Sequence, residues 1–362
     1  MYLPTKTTLP AKILPVLAFL VVLILLNACP PGSKIYFTLV RYNPDGSIDR
    51  TFGKDGIVVT KLEDISQLFS LALDSEGRII AGGTTGDKYA VVRDLPDGSI
   101  DRLFGKNGRF AEDFGADFAM IKKVIPDKDG KILAAGHHSI RDGKKEKYSE
   151  MSVIRLNSDG TPDLSFGNKG ISLVNINNGR LRTYSIATQS DGKILLAGTY
   201  DSFFEILRFN QDGSRDTLFG KYAGMASIES SSHETKALDI IVSDDRIIVA
   251  GASGDSITKY ILDKNGFITS QYFGLLRDFG PYFEINSVMI TPKGNVIAAG
   301  TTFENEIPVS FVLLNISFEE DGVTANGKTI FSIISDKGPD TANTIAVQPD
   351  EKIILGGSTS YD

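Results

Sequence analysis

The sequence predicts an all-β fold, a six-bladed β-propeller of four-stranded antiparallel blades closed by strands from both termini. Three observations predict it. A unit of roughly fifty residues recurs six times, each unit carries two hairpin signals, and the chain ends carry complementary halves of one unit. A fixed period of this size marks stacked supersecondary units, none of which buries its apolar face alone.

The clearest copy of the unit reads RYNPDGSIDRTFG, from Arg41 to Gly53. It returns as RDLPDGSIDRLFG from Arg93, RLNSDGTPDLSFG from Arg155 and RFNQDGSRDTLFG from Arg208, and more weakly from Tyr260 and Leu313. The turn glycines Gly46, Gly98, Gly160, Gly213, Gly266 and Gly322 are spaced by 52, 62, 53, 53 and 56 residues. The long interval reflects an insertion at His138–Glu150, expected to be an irregular loop.

The second hairpin signal is an apolar run, a turn of the Ser-Asp-Gly kind, and another run ending in Ala-Gly or Gly-Gly. SLALDSEGRIIAGG (Ser70–Gly83), SIATQSDGKILLAG (Ser185–Gly198) and IAVQPDEKIILGG (Ile345–Gly357) are examples. Asp-Gly between apolar runs is a strong hairpin cue, because glycine takes the positive-φ position at little cost. Two hairpins make one four-stranded blade. Units beginning near Ser70, Lys123, Ser185, Leu238, Ser287 and Thr344 give six. Tyr36–Lys61 supplies only a second hairpin and Thr344–Thr359 only a first. The strand at Tyr36–Tyr42 is therefore expected to pair with Lys352–Gly357, hiding the edges that an open array exposes.

Ahead of the repeats, Lys6 and Lys12 precede an apolar run from Ile13 to Leu26, then Asn27, Ala28 and Cys29. A basic start, a short apolar stretch and small residues before a cut describe an export signal. Fourteen positions are too few to span a bilayer, which needs about 20. The tetrapeptide ending at Cys29 resembles the lipobox of bacterial lipoproteins, a resemblance that implies acylation of Cys29 and cleavage before it. The chain divides into a signal peptide (1–28), a lipidated tether (29–34) and the propeller (35–362). Buried acyl chains, at about 0.8 kcal/mol per methylene, hold a protein on a membrane durably. Pro30 stands where some inner-membrane lipoproteins carry a retention Asp, which points to the outer membrane of the cell envelope.

The repeat itself, in PDGSIDRTFG and QSDGKILLAG, resembles the delta-60 repeat of bacterial propellers. That likeness covers nearly all of Tyr36–Asp362 and weakens from Gly266 onward. It implies a propeller and an exported location, and no catalytic residues. The chain departs from quinone-binding and Trp-Asp propellers in having no Trp.

Charge and cysteine content narrow the function classes. Net charge is −7 and becomes −9 once residues 1–28, with two Lys and no acids, are removed. Nucleic acid and anionic lipid surfaces need basic stripes, so neither is an expected ligand. One cysteine excludes an intramolecular disulfide and any multi-cysteine metal site. Gly-x-Ser-x-Gly, phosphate-loop and His-Glu-x-x-His patterns are missing.

Repeated Phe-Gly pairs place Phe52, Phe104, Phe166, Phe219 and Phe273 at one position per unit, which reads as a wedge between blades. Asp45, Asp97, Asp159 and Asp212 read as turn residues. Chemistry is expected where loops are irregular, at the ends joining hairpin to hairpin and blade to blade. There the loop entering each innermost strand carries Asp64 (beside Glu63), Asp117, Glu234, Glu284 and Asp340, with Arg182 in the remaining one. As a ring these acids would suit a cation, Ca²⁺ first, or a basic ligand; as separate loop acids they would simply be solvated. His137, His138 and His233 map to the same face. Adjacent strand residues point to opposite sides, so the histidine pair chelates only if the loop leaves strand geometry. The expected function is ligand binding or scaffolding at the envelope, with a protein or glycan partner. A Ca²⁺-dependent hydrolase of the lactonase type is the alternative.

Overall fold

A computed structural model describes residues 19–22, 36–42, 47–63, 65–200, 203–229, 235–253, 256–275, 283–291, 295–304, 307–319, 322–331, 340–347 and 353–359. Strands dominate; one short 3₁₀ turn, Lys128–Gly130, is the helical element among them. Among the described residues no helix is long and apolar enough to cross a membrane.

The first sheet joins β1 (Phe19–Val22), β2 (Phe37–Tyr42) and β3 (Ile57–Thr60). Five four-stranded antiparallel sheets follow. They are β4 (Ser66–Leu73), β5 (Ile79–Thr85), β6 (Lys88–Asp94) and β7 (Arg109–Glu112); then β8 (Phe118–Pro126), β9 (Ile132–Asp142), β10 (Lys145–Leu156) and β11 (Ile171–Val174). The third is β12 (Leu181–Thr188), β13 (Ile194–Tyr200), β14 (Phe203–Phe209) and β15 (Met225–Glu229). The fourth is β16 (Thr235–Ser243), β17 (Arg246–Ser253), β18 (Ser256–Leu262) and β19 (Ile268–Leu275). The fifth is β20 (Phe283–Ile290), β21 (Val296–Glu304), β22 (Ile307–Glu319) and β23 (Gly322–Phe331). A two-stranded sheet, β24 (Asp340–Val347) and β25 (Ile353–Thr359), ends the series.

The unit starts read from the repeat, Ser70, Lys123, Ser185, Leu238, Ser287 and Thr344, each fall in the first strand of a sheet. Middle strands such as β5 are buried on both faces and therefore read as continuous apolar runs. Each core cluster is shared by two successive sheets. Phe37 and Phe52 pack with Leu68 and Val92; Tyr89 and Phe104 with Ile132 and Ile154. Leu133 and Phe166 pack with Leu181 and Leu196; Leu195 and Phe219 with Ile240 and Tyr260; Ile248 with Val288 and Ile316. First strands of neighbouring sheets lie side by side.

Two expectations change. The pairing of Tyr36–Tyr42 with Lys352–Gly357 is not formed: β2 and β25 lie in separate sheets, and β1 holds the edge of β2. An apolar four-residue strand satisfies that edge as well as the C-terminal hairpin would. His138–Glu150 is not an irregular loop either. It continues β9 and β10 as one long hairpin, with a bulge between Glu146 and Tyr148.

The repeated motif acts as a latch between sheets. Arg41, Arg93, Arg155 and Arg208 each hold the motif Asp, with Nε to Oδ2 at 2.9, 2.8, 2.7 and 2.8 Å. Each guanidinium lies 4.5–4.6 Å above the motif Phe ring. Each then donates to a carbonyl in the following unit's turn: Pro96, Ser158, Gln211 and Lys264 in order. Phe52, Phe104, Phe166 and Phe219 are fully buried, and a Cβ built on Gly98, Gly160, Gly213 or Gly266 would strike the ring before it. The wedge reading holds for these four. Phe273 departs from it, lying in β19 and 53% exposed.

Candidate functional site on the first strands

Every first strand carries a bulge, followed by a hydroxyl or acid (Ser70, Ser185, Asp239, Ser287, Thr344) in five of them and by Lys123 in β8. The skipped residues are Phe69, Lys122, Tyr184, Leu238, Asn286 and Asn343. Opposite each bulge, the second strand carries a glycine. At Gly83, Gly136, Gly198 and Gly251 an added Cβ would lie 1.9 Å from the carbonyl oxygen of Gln67, Met120, Arg182 and Lys236. The run-ending Ala-Gly and Gly-Gly therefore follow from the bulge. Phe69, Lys122, Tyr184, Leu238 and Asn286 remain partly exposed on the innermost strands.

Residues after the bulge tie neighbouring first strands together. Ser70 Oγ accepts the Val124 amide at 3.0 Å, Ser185 Oγ donates to Asp239 at 2.9 Å, and Asp239 accepts the Ile290 amide at 3.2 Å. A uniform frame thus carries a varied ring of side chains.

Lys122 is the charged member of that ring. Its ammonium lies 4.0 Å from the Phe69 ring centroid, a cation–π contact. Desolvation, helped by the nearby Arg182 guanidinium, pulls it down to about 8. Arg182, second in β12, is held by both carboxylate oxygens of Glu146 at 3.0 Å and by Ser149 Oγ at 3.0 Å. His137 is buried and its Nδ1 has no hydrogen-bond partner. Burial first, then Arg182 and Lys122, hold its imidazole neutral, far below the usual histidine range.

The two adjacent histidines point apart. His137 is opposite Met151, which packs toward β12; His138 is opposite Ala119, which packs toward the preceding sheet. His138 instead has Glu150 at 3.9 Å. Because the segment is regular strand, the pair cannot close on one metal.

Of the expected acids, Asp117 precedes β8 and accepts the Arg141 amide at 2.8 Å, within its own sheet. Glu63 reaches Lys88 at 3.4 Å. Glu284 and Asp340 are placed by backbone at the starts of β20 and β24. Asp64, Glu234 and His233 lie outside the described residues, as does Asp45. Among the described residues no three His, Cys, Asp or Glu side chains gather as metal ligands do. Asp97, Asp159 and Asp212 each cap their own turn, accepting the amide and hydroxyl two residues on at 2.6–2.9 Å.

Sequence reading missed Lys122. The available signal was variation: across the units its position holds Phe69, Lys122, Tyr184, Leu238, Asn286 and Asn343, a mixture of aromatic, basic, aliphatic and amide side chains.

Three stretches, residues 36–52, 128–166 and 189–219, match the family model described as Domain of unknown function (DUF5122) beta-propeller. No curated protein sequence matches the chain. A 6-phosphogluconolactonase-like protein from Bacteroides uniformis ATCC 8492 superposes with TM-score 0.53 at 14% identity, covering 94% of this chain and 88% of that one. A similar protein from Bacteroides fragilis NCTC 9343 gives 0.52 at 11%, over 94% and 87%. Virginiamycin B lyase from Staphylococcus aureus gives 0.51 at 12%, over 94% and 96%. At these identities the likeness is one of fold. The chain is an all-β, propeller-like repeat protein.

Proposed function

We propose that this chain is an envelope lipoprotein, anchored through Cys29, whose propeller binds an acidic glycan at the mouth of its central opening. The observation that carries the reading is the varied ring at the bulge position. The motif arginines Arg41, Arg93, Arg155 and Arg208 are each held by their latch Asp, whereas this ring offers the half-buried rings of Phe69 and Tyr184 and one ammonium without a carboxylate partner. Aromatic faces suit sugar rings, and a partly desolvated lysine suits a carboxylate.

Isothermal titration with oligogalacturonate, using the soluble chain from Pro30 onward, tests it. Binding is expected near neutral pH, falling as pH rises past about 8 because the Lys122 ammonium then loses its proton. Lys122→Met should weaken it at least tenfold without lowering the melting temperature. Absence of binding, or equal binding by the variant, overturns the reading. The Ca²⁺-dependent hydrolase would instead show as a rise in melting temperature with millimolar Ca²⁺, as a ligand selective for the folded state gives. Anchoring is read separately, by incorporation of labelled fatty acid and its loss in Cys29→Ser.

A further inference from the structure

Aligned on Arg41, Arg93, Arg155 and Arg208, β2 is the third strand of its unit. In the intact sheets that arginine faces the second residue of the second strand: Ile80, Leu133 and Leu195. Carried to the C-terminal hairpin, the rule puts Ile354 opposite Arg41. Leu355 then faces Val40, Gly356 faces Leu39 and Ile353 faces Tyr42. In the structure those places are filled from the other end of the chain. Phe19 faces Tyr42, Leu20 faces Arg41, Val21 faces Val40 and Val22 faces Leu39. The strand runs in the same antiparallel sense and in the same register as the one the repeat calls for. Among the described residues β25 pairs on one side only, with β24, and it lies beside β1.

We infer that Phe19–Val22 and Ile353–Gly356 are alternative occupants of one edge, that of β2. While residues 1–28 are attached, the apolar segment fills the slot and the last blade stays divided between two sheets. Once they are removed, β25 takes the slot and the ring closes. Two strands cannot pair with one edge, so occupancy is exclusive. This rests on the export reading only for when the exchange happens in the cell. Its consequence there is that the precursor carries its own stop against closure until the leader is gone.

Paired cysteines test it on purified protein, in a Cys29→Ser background. Directly opposite residues of an antiparallel pair have Cα atoms about 4.5–5.5 Å apart, within disulfide reach. In the chain of residues 1–362, Val21→Cys with Val40→Cys should link under mild oxidation, and Val40→Cys with Leu355→Cys should not. In the chain of residues 30–362, the second pair should link in most molecules. Equal linking of Val40 to Leu355 in both chains overturns the exclusion, and no linking in the short chain overturns the exchange. Should the paired variants fold poorly, amide exchange decides. Loss of the leader should transfer protection to Leu355 and leave the edge of β2 protected; an edge exposed in the short chain overturns the inference. Neither readout depends on whether the cell cuts before Cys29, so a failure of export and a failure of the exchange remain distinct.

Discussion

Asp94 shows how a single residue departs from its repeat. Leu156 and Phe209 hold the same position in the following units, both fully buried, and Asp94 is buried as deeply, 1% exposed. Neither carboxylate oxygen has a hydrogen-bond partner, and neither has the Nε of Arg109, the residue opposite Val92 on the neighbouring strand. Burial, only partly offset by Arg109, raises the carboxyl to about 7. The folded form therefore keeps its proton where the unfolded chain has lost it. Between about pH 4 and pH 7 the native state binds more protons, so stability falls as pH rises. Asp94→Leu should remove that part of the fall and stabilise the protein at pH 8 by on the order of 2–4 kcal/mol. Urea denaturation at pH 5 and pH 8 checks it; an equal change at both pH values would count against a neutral carboxyl. Glu205, also raised to about 7 mainly by burial, leaves a residual slope in the variant.

At the scale of the element, the bulge and its facing glycine work as one device. Gly198 has ordinary φ, so it is there for space: the Arg182 carbonyl occupies the volume of its Cβ. Gly198→Ala should cost about 3 kcal/mol or more, because backbone must move in a strand with sheets on both sides. Gly143, at the tip of the β9–β10 hairpin with φ +61° and open space around it, offers the contrast. Its change to Ala should cost only the left-handed backbone penalty, about 1–2 kcal/mol. Thermal melts of the two variants compare them directly.

Legibility divides along the same lines. Strand pairs, unit boundaries and the Phe wedges could be read because they repeat and because apolar alternation marks them. The Ala-Gly endings were visible, but their cause was not, since a bulge leaves no mark in hydropathy. The hairpin Ile132–Leu156 was unreadable beyond His138 because its tip projects past the neighbouring sheets. From Lys144 to Tyr148 charged residues dominate and no apolar alternation marks the strand. Lys122 was hidden by the opposite circumstance, a position whose information lies in its failure to repeat.

For the whole molecule, stability should grade from the middle outward while the leader is present. The sheets of β8–β11 and β12–β15 are clamped on both sides by core clusters and latches, whereas among the described residues β24–β25 ends the series as a two-stranded sheet. Hydrogen exchange on residues 1–362 should show β24–β25 opening first and β12–β14 last. On residues 30–362 the gradient should flatten as the ends join. A gradient unchanged by loss of the leader would mean that the ends never meet.

The latch has a direction. Each arginine is seated by its own unit but finishes its hydrogen bonds on the turn of the unit that follows. Every unit carrying the motif thus presents a donor forward and an acceptor backward, like a link with a hook at one end and an eye at the other. Unequal crossing-over that duplicates or deletes one whole period in the gene would leave the new neighbours hook to eye. Blade number in a lineage of such chains can therefore drift in whole steps without new contacts being invented. The unit of Gly266, where Ile261 replaces the arginine, has given up the hook. A crossover there would join two surfaces that no longer fit, so gains and losses should be recorded in the first four units.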